Sequence, residues 1–308
     1  MLVKSRTATL AEDGFARLPE KGRSLWADAL SRFARNRAAM MGVIILALVI
    51  LFMALGPLLG RWTIEKIDWD VMGMVAEKGM PSLETGHYFG TDDVGRDLYS
   101  RVIQGIGMSL MAGLVSAGVA VAIGTFYGAV SGYFGGRIDS AMMRFVDILY
   151  AVPTMFLVIV ILMMFGRTVE VLFVSLGAIS WMGLARVVRG QTIALRHREF
   201  VEAAVAGGAR PLAIVYRHVL PNLLGLVAVY ASLLIPDMIM VESFLSFLGL
   251  GIQDPNTSLG MLISEGSATM MYGTLWQLAF PLFFFVLILF SLYFVGDGLR
   301  DALDPKDR

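Results

Sequence analysis

Residues 199–222 read EFVEAAVAGGARPLAIVYRHVLPN, a stretch set between two long apolar runs. Glu202-Ala203-Ala204 begins a short helix-prone segment. Gly207-Gly208 permits a sharp turn that residues with a side chain resist. Arg210-Pro211 restarts the chain, because proline is tolerated in a first helical turn. Leu212, Ile214 and Val215 continue an apolar stretch to Leu220-Pro221, where the next long run opens. The stretch therefore reads as a helix–turn–helix projecting from the end of two membrane spans. Its small residues let another protein approach the backbone closely.

The chain around it is suited to lipid. Of its 308 residues 57% are hydrophobic and 16% charged, with a mean hydropathy of +0.71. Soluble domains carry about 25% charged residues, and one soluble core does not absorb this much apolar surface. A hydrocarbon layer about 30 Å thick takes roughly 20 residues of helix. Six runs meet or approach that length, at 39–60, 107–130, 141–165, 169–186, 222–245 and 277–297. The fourth is the shortest and contains Ser175 and Ser180. The first is too long for a signal-peptide core and follows a 38-residue polar leader, so it reads as a retained span. The expected fold class is all-α, a polytopic membrane protein with six transmembrane helices.

Basic residues orient the spans, since loops rich in Lys and Arg stay in the cytoplasm. Nineteen of the 25 basic residues fall in the leader, the second loop (Arg137, Arg144), the fourth loop (Arg186 to Arg217) and the tail. The loop 246–276 has none. Both termini are thus expected in the cytoplasm. The organisation that follows is a leader at 1–38, a first span at 39–60, a periplasmic loop at 61–106, a permease-like core at 107–300 and a tail at 301–308. Residues 1–20 are expected to be disordered. In SLWADALSRFARNR (24–37), Leu25, Trp26, Ala29, Leu30 and Phe33 share one helical face beside arginines. That pattern suits a helix lying in the membrane interface, or an ordinary juxtamembrane helix.

Several chemistries are excluded. With no Cys, the chain has no disulfide, thiolate metal site or Cys nucleophile. His87, His197 and His218 all lie outside the apolar runs, which leaves no intramembrane histidine for hydrolysis. The net charge of +0 gives no sign of nucleic acid. None of Lys4, Lys21, Lys66, Lys78 and Lys306 sits in a Gly-x4-Gly-Lys-Ser/Thr loop, so the chain has no P-loop with which to grip ATP. The 20 Met residues are scattered through apolar spans and read as packing.

Glu202-Ala203-Ala204, Gly208, His218 and Leu220-Pro221, at their spacing, resemble the "EAA" loop of ABC importer permeases, and His-x-Leu-Pro-Asn resembles its peptide and nickel branch. The block HYFGTDDVGRDLYSR (87–101) resembles the outer signature of dipeptide and oligopeptide permeases. ESFLSFLGLGIQDPNTSLGMLI (242–263) and VGDGLRDALDP (295–305) are similar to that branch as well, and the likeness runs from about residue 24 to residue 305. The resemblance implies a type I importer fold in which the EAA loop is a coupling helix docking on an ATPase. Coupling would then involve Glu202, Ala203, Ala204, Gly208, Arg210, Leu220 and Pro221. It implies binding-protein contact at Gly90, Thr91, Asp92, Gly95, Arg96 and Asp97. The implied partners are a homologous second permease, two P-loop ATPase subunits that use ATP and Mg, a periplasmic or lipid-anchored substrate-binding protein, and the lipid of a bacterial inner membrane. The chain itself is expected to bind no cofactor or metal and to have no catalytic residue. The cargo the resemblance implies is a di- or oligopeptide, the commonest in the family, with glutathione or a nickel complex as the alternatives. An ion-coupled secondary transporter and a non-transport scaffold are the rival readings.

Other residues carry narrower expectations. Asp237, after Pro236 in the fifth span, either lines the pathway, caps a kink or pairs with a sister permease, because a carboxylate at membrane depth needs water or a partner. Glu242, nearer the outer end, is a gate or interfacial. Asp147 is placed to pair with Arg144 three residues before it. Thr91 or Asp92 is a candidate cap for the helix that follows. Asp92, Asp93 and Asp97 lack the spacing of a calcium loop, and Arg96 sits among them. Pro153 and Pro281 are expected helix kinks.

Overall fold

The computed structural model describes residues 25–303, with the side chains of Leu25 and Trp26 excepted. The expectations for residues 1–24 and 304–308 lie outside the described residues. The helices are α1 (Leu25–Arg35), α2 (Arg37–Leu59), α3 (Val75–Lys78), α4 (Leu98–Phe134), α5 (Gly136–Tyr150), α6 (Thr154–Phe165), α7 (Val169–Arg196), α8 (Glu199–Ala206), α9 (Pro211–Phe247), α10 (Leu259–Thr269) and α11 (Trp276–Leu303). No strand is present among the described residues.

Among the described residues, five helices (α2, α4, α7, α9 and α11) are long and apolar enough to cross a membrane. The pair α5 and α6 makes a sixth span if counted as one. The run at 141–165 is thus not the straight span its hydropathy suggests, since the two helices meet at 84°. Pro153 is the cause: it has no N–H to donate and it pushes Val152 out of helical conformation. Pro281, in contrast, sits inside an unbroken α11.

Both ends of the described chain lie on one side of the bundle, where the Asn36 side-chain amide donates to Asp301 Oδ2 at 3.4 Å. This side, with the turn at 135–136 and α8, is the basic face. Residues 60–97 and 248–275 cover the opposite end and form a cap.

The helix pair α4 and α7 forms the centre. α7 is the least hydropathic of the long helices, yet 61% of its apolar window is buried, more than in any other span. Its Ser180 hydroxyl bonds back to the Leu176 carbonyl at 2.7 Å, so the polar groups that weaken the sequence signal are satisfied within the helix. Close contact comes from Gly124, Gly128 and Gly132, one turn apart on α4. A Cβ at Gly124 would lie 2.8 Å from the Trp181 carbonyl oxygen, and one at Gly132 2.7 Å from the Arg189 carbonyl oxygen. Without a hydrophobic drive in lipid, helices gain from such close approach through van der Waals packing.

α1 packs against α11 through buried Ala29 and half-buried Phe33, while Leu30 on the same side is 69% exposed. Asn36 then caps α2, its side-chain oxygen accepting from the Ala38 and Ala39 amides.

Candidate functional site

The basic face carries the helix–turn–helix. α8 leaves α7 through His197-Arg198 and ends at Gly207. Gly208 has φ +77°, in the left-handed region where a side chain is strained, and nothing lies within 4 Å of where its Cβ would be. Arg210 caps the restart, Pro211 takes the first helical position, and a π turn at Val215–Val219 leads to Leu220-Pro221.

The EAA residues are presented outward. Glu202, Ala203, Gly208, Arg210 and Pro221 are exposed, and Ala204 and Leu220 half-buried. What holds them is Val201, 1% exposed, packed with Tyr133, Leu184, Val188, Ile214 and Val219. Sequence reading missed Val201, although an apolar residue one position before Glu-Ala-Ala is a usable sign of an anchor. A cavity of about 540 Å³ opens beside α8, lined by Tyr133, Phe134, Arg196, Glu202, Val205 and Pro211.

Two ion pairs lie behind this face, the second of them largely exposed. Arg189 Nη2 lies 2.6 Å from Asp139 Oδ2, and the Ser131 hydroxyl also donates to Asp139. Arg186 pairs with Asp147 at 2.7 Å. The expected Arg144–Asp147 pair is therefore not formed, because α5 turns Asp147 toward α7. Arg186, Arg189 and Arg196 belong to α7 and not to a loop.

The cap is organised by the 87–101 block. Asp97, not Thr91 or Asp92, caps α4, accepting from the Ser100 amide at 2.9 Å. Asp92 instead accepts from Arg96 Nε and Arg101 Nη1, each at 2.6 Å. Arg101, 1% exposed, also donates to both oxygens of Glu265, at 2.7 and 3.2 Å. Arg96 extends the network to Asp254 at 3.1 Å. The Thr91 carbonyl accepts from Trp276 Nε1 and Gln277 Nε2, which ties the block to the start of α11. Gly90 and Gly95 both have positive φ, 80° and 86°.

Gly90, Thr91, Asp92, Gly95 and Asp97 are buried and Arg96 is half-buried. Asp92, Arg96 and Asp97 spend their side chains on ties within the cap, Thr91 is joined through its carbonyl, and exposed Asp93 is what the block shows to solvent. The spacing revealed a charged loop but not which charges turn inward. Arg101 and Glu265 were missed because their partners lie far away in sequence.

His87 sits among the cap carboxylates, Nδ1 2.9 Å from Asp97 Oδ1 and Nε2 3.3 Å from Asp68 Oδ2, with Trp62 stacked on its ring. Burial alone pushes its pKa down, but the hydrogen bonds to Asp97 and then Asp68 outweigh it and hold it above the ordinary imidazole value. The protonated ring therefore stabilises the cap. That contribution is complete below about pH 6.5 and is lost as pH rises through the raised pKa. Thermal unfolding of the purified chain should show its midpoint falling over that window, and His87→Gln should flatten the slope. An unchanged slope would remove His87 from the account.

α9 carries two carboxylates, Asp237 and Glu242. Glu242 is fully buried and accepts from the Ser246 hydroxyl at 2.6 Å. Ser246 Oγ also lies 3.3 Å from Ser258 Oγ and accepts from the Ile252 amide, so Glu242 is tied through Ser246 to the loop after α9. Asp237 is exposed, and its Oδ1 accepts from Tyr293 Oη at 2.8 Å. Among the described residues, no three His, Asp or Glu side chains are grouped to hold a metal ion.

Residues 120–308 match the family of the binding-protein-dependent transport system inner membrane component, and residues 24–74 match the N-terminal TM domain of oligopeptide transport permease C. The oligopeptide transport system permease protein OppC of Escherichia coli (strain K12) is 51% identical over 308 residues, 100% of both chains. The protein of the same name from Haemophilus influenzae is 49% identical over 309 residues, 99% of this chain and 97% of the relative. The dipeptide transport system permease protein DppC of Bacillus subtilis is 40% identical over 281 residues, 91% of this chain and 86% of the relative. The family match over 120–308 and the identity along the whole length make this chain a member of the binding-protein-dependent transport system inner membrane component family.

Proposed function

We propose that this chain is one of two permease subunits of an ATP-driven peptide importer, with the basic face in the cytoplasm and the cap outside. The observation that carries this reading is the exposed Glu202-Ala203-Ala204 helix and its Gly208 turn, pinned to the bundle by Val201, in a chain that lacks a P-loop. Peptide as cargo rests on the names of the oligopeptide and dipeptide relatives.

Two P-loop ATPase subunits supply ATP and Mg chemistry from the cytoplasm, and the chain itself binds neither. α8 seats on one of them. Closure of the ATPase pair drags α8, and with it α7 and α9, which leave its two ends. A second, homologous permease completes the pathway, and the bundle switches between inward-open and outward-open arrangements. A loaded substrate-binding protein docks on the exposed cap, where Trp69, Met271 and Tyr272 are 72%, 86% and 75% exposed. The Asp92–Arg101 network holds that surface in shape.

Gly208→Trp tests the coupling. The site is open, so the bulk itself meets no wall in the chain, and the left-handed backbone adds about 1–2 kcal/mol of local strain. The variant should insert normally and pack its spans normally. It should lose the ATPase subunits in a gentle-detergent pull-down and lose at least about nine-tenths of import, as expected when bulk enters a closely packed interface. Full import together with intact co-purification would overturn the coupling role.

A further inference from the structure

We infer that Asp237, held by Tyr293, is the acceptor in the translocation pathway for the ammonium group at a peptide's amino terminus. The inference rests on the peptide-importer reading and deepens it.

Asp237 lies about 15 Å inside the cap-side end of α9 at 1.5 Å per residue, near the middle of a hydrocarbon layer about 30 Å thick. Its carboxylate is exposed on the outside of the bundle and not turned into the core. Acyl chains are not an environment an ionised carboxylate tolerates, so this face of α9 and α11 meets either water or another protein. Its partner among the described residues is the Tyr293 hydroxyl, a neutral donor to Oδ1. The salt bridges of the described residues lie in the cap and at the basic face, none at Asp237. The hydroxyl orients the carboxylate without neutralising it and leaves Oδ2 free for a cation.

The surroundings suit a peptide. Tyr230, two turns earlier on α9, is half-buried, and Met240 and Phe244 on the same side are 48% and 50% exposed. Tyrosine, methionine and phenylalanine accommodate side chains of varied shape. Peptides of mixed sequence share only their backbone and two termini, so a fixed charge in such a lining recognises the common ammonium group. Nickel ions would need several ligands, and the described residues offer no such group.

The test uses the assembled importer in proteoliposomes, with its binding protein and trialanine as cargo. Asp237→Asn keeps the shape and removes the charge, and should lower the import rate about tenfold, the scale of one charge-assisted hydrogen bond. Asp237→Glu should keep most of the rate, and Tyr293→Phe should fall between. The chain has no Cys, so Asp237→Cys introduces its only thiol. That thiol should react with a membrane-impermeant cationic thiosulfonate, at a rate that changes when the ATPases are trapped. Unchanged import in Asp237→Asn overturns the inference, and so does an unreactive thiol. Loss of the second permease on purification of Asp237→Asn also overturns it, because the carboxylate would then serve a basic residue of that subunit. If the unsubstituted importer moves no peptide at all, the underlying reading fails instead.

Discussion

An Arg101→Met chain is expected to lose about 3–5 kcal/mol of stability, the usual cost of removing one member of a buried charge network. Methionine fills a similar volume, so the loss is electrostatic and not a cavity. Arg101 is 1% exposed and joins Asp92, at the end of the cap loop, to Glu265 on α10. Removing it leaves the Asp92 carboxylate, whose side chain is 4% exposed, with Arg96 as its remaining cation. The contact to Asp254 counts for little, since that side chain is 60% exposed and 3.8 Å away. In detergent the thermal midpoint should fall by roughly 10 °C for a protein of this size. Adding Glu265→Gln should restore part of the loss, because it removes one of the charges left unpaired. A drop of under about 2 °C would mean the network is dispensable. Arg101→Lys should be intermediate, because an ammonium cannot span both Glu265 oxygens while still holding Asp92.

Gly128→Leu should be at least as damaging, by a different cause. The atoms nearest an added Cβ at Gly128 are the Ala185 carbonyl oxygen, Val188 Cβ at 2.9 Å and the Arg189 amide nitrogen at 3.0 Å. Two of these are backbone and the third is a branch point, so no flexible side chain can swing aside. The α4–α7 contact must open along its length, and the cost should reach or exceed the upper end of the usual overpacking range, about 3 kcal/mol. Gly118→Ala on the same helix is the control, since nothing lies within 4 Å of its added Cβ. It should be neutral or stabilising by up to about 1 kcal/mol. Fluorescence-detected size exclusion of both variants checks the pair: a monodisperse Gly128→Leu peak of normal yield and melting point would contradict the close-packed contact.

The sequence by itself determined that this is a bundle of membrane spans. Hydropathy is a local property that survives without knowing any partner, and the long apolar runs of α2, α4, α9 and α11 reappear as single helices. It also determined the turn at Gly207-Gly208 and the restart at Arg210-Pro211, because glycine and proline act on their own backbone. The Glu-Ala-Ala spacing identified the family for the same reason, as a short motif whose residues are neighbours along the chain.

Only the tertiary structure decided where the charges point. Asp147 chose Arg186 over Arg144, and Asp92 chose Arg101 and Arg96 over a capping role that fell to Asp97. The Asp147–Arg186 and Arg101–Glu265 pairs depend on residues brought together by folding, whereas Asp92–Arg96 and the Asp97 cap are local contacts for which the sequence offers several rival acceptors. Burial likewise separated two carboxylates that look alike in the sequence: Glu242 turned inward to the serines that tie down a loop, and Asp237 turned outward beside Tyr293. They are five residues apart on one helix, and at 3.6 residues per turn that spacing rotates the second well away from the first. What each one faces was decided by the helices packed around α9.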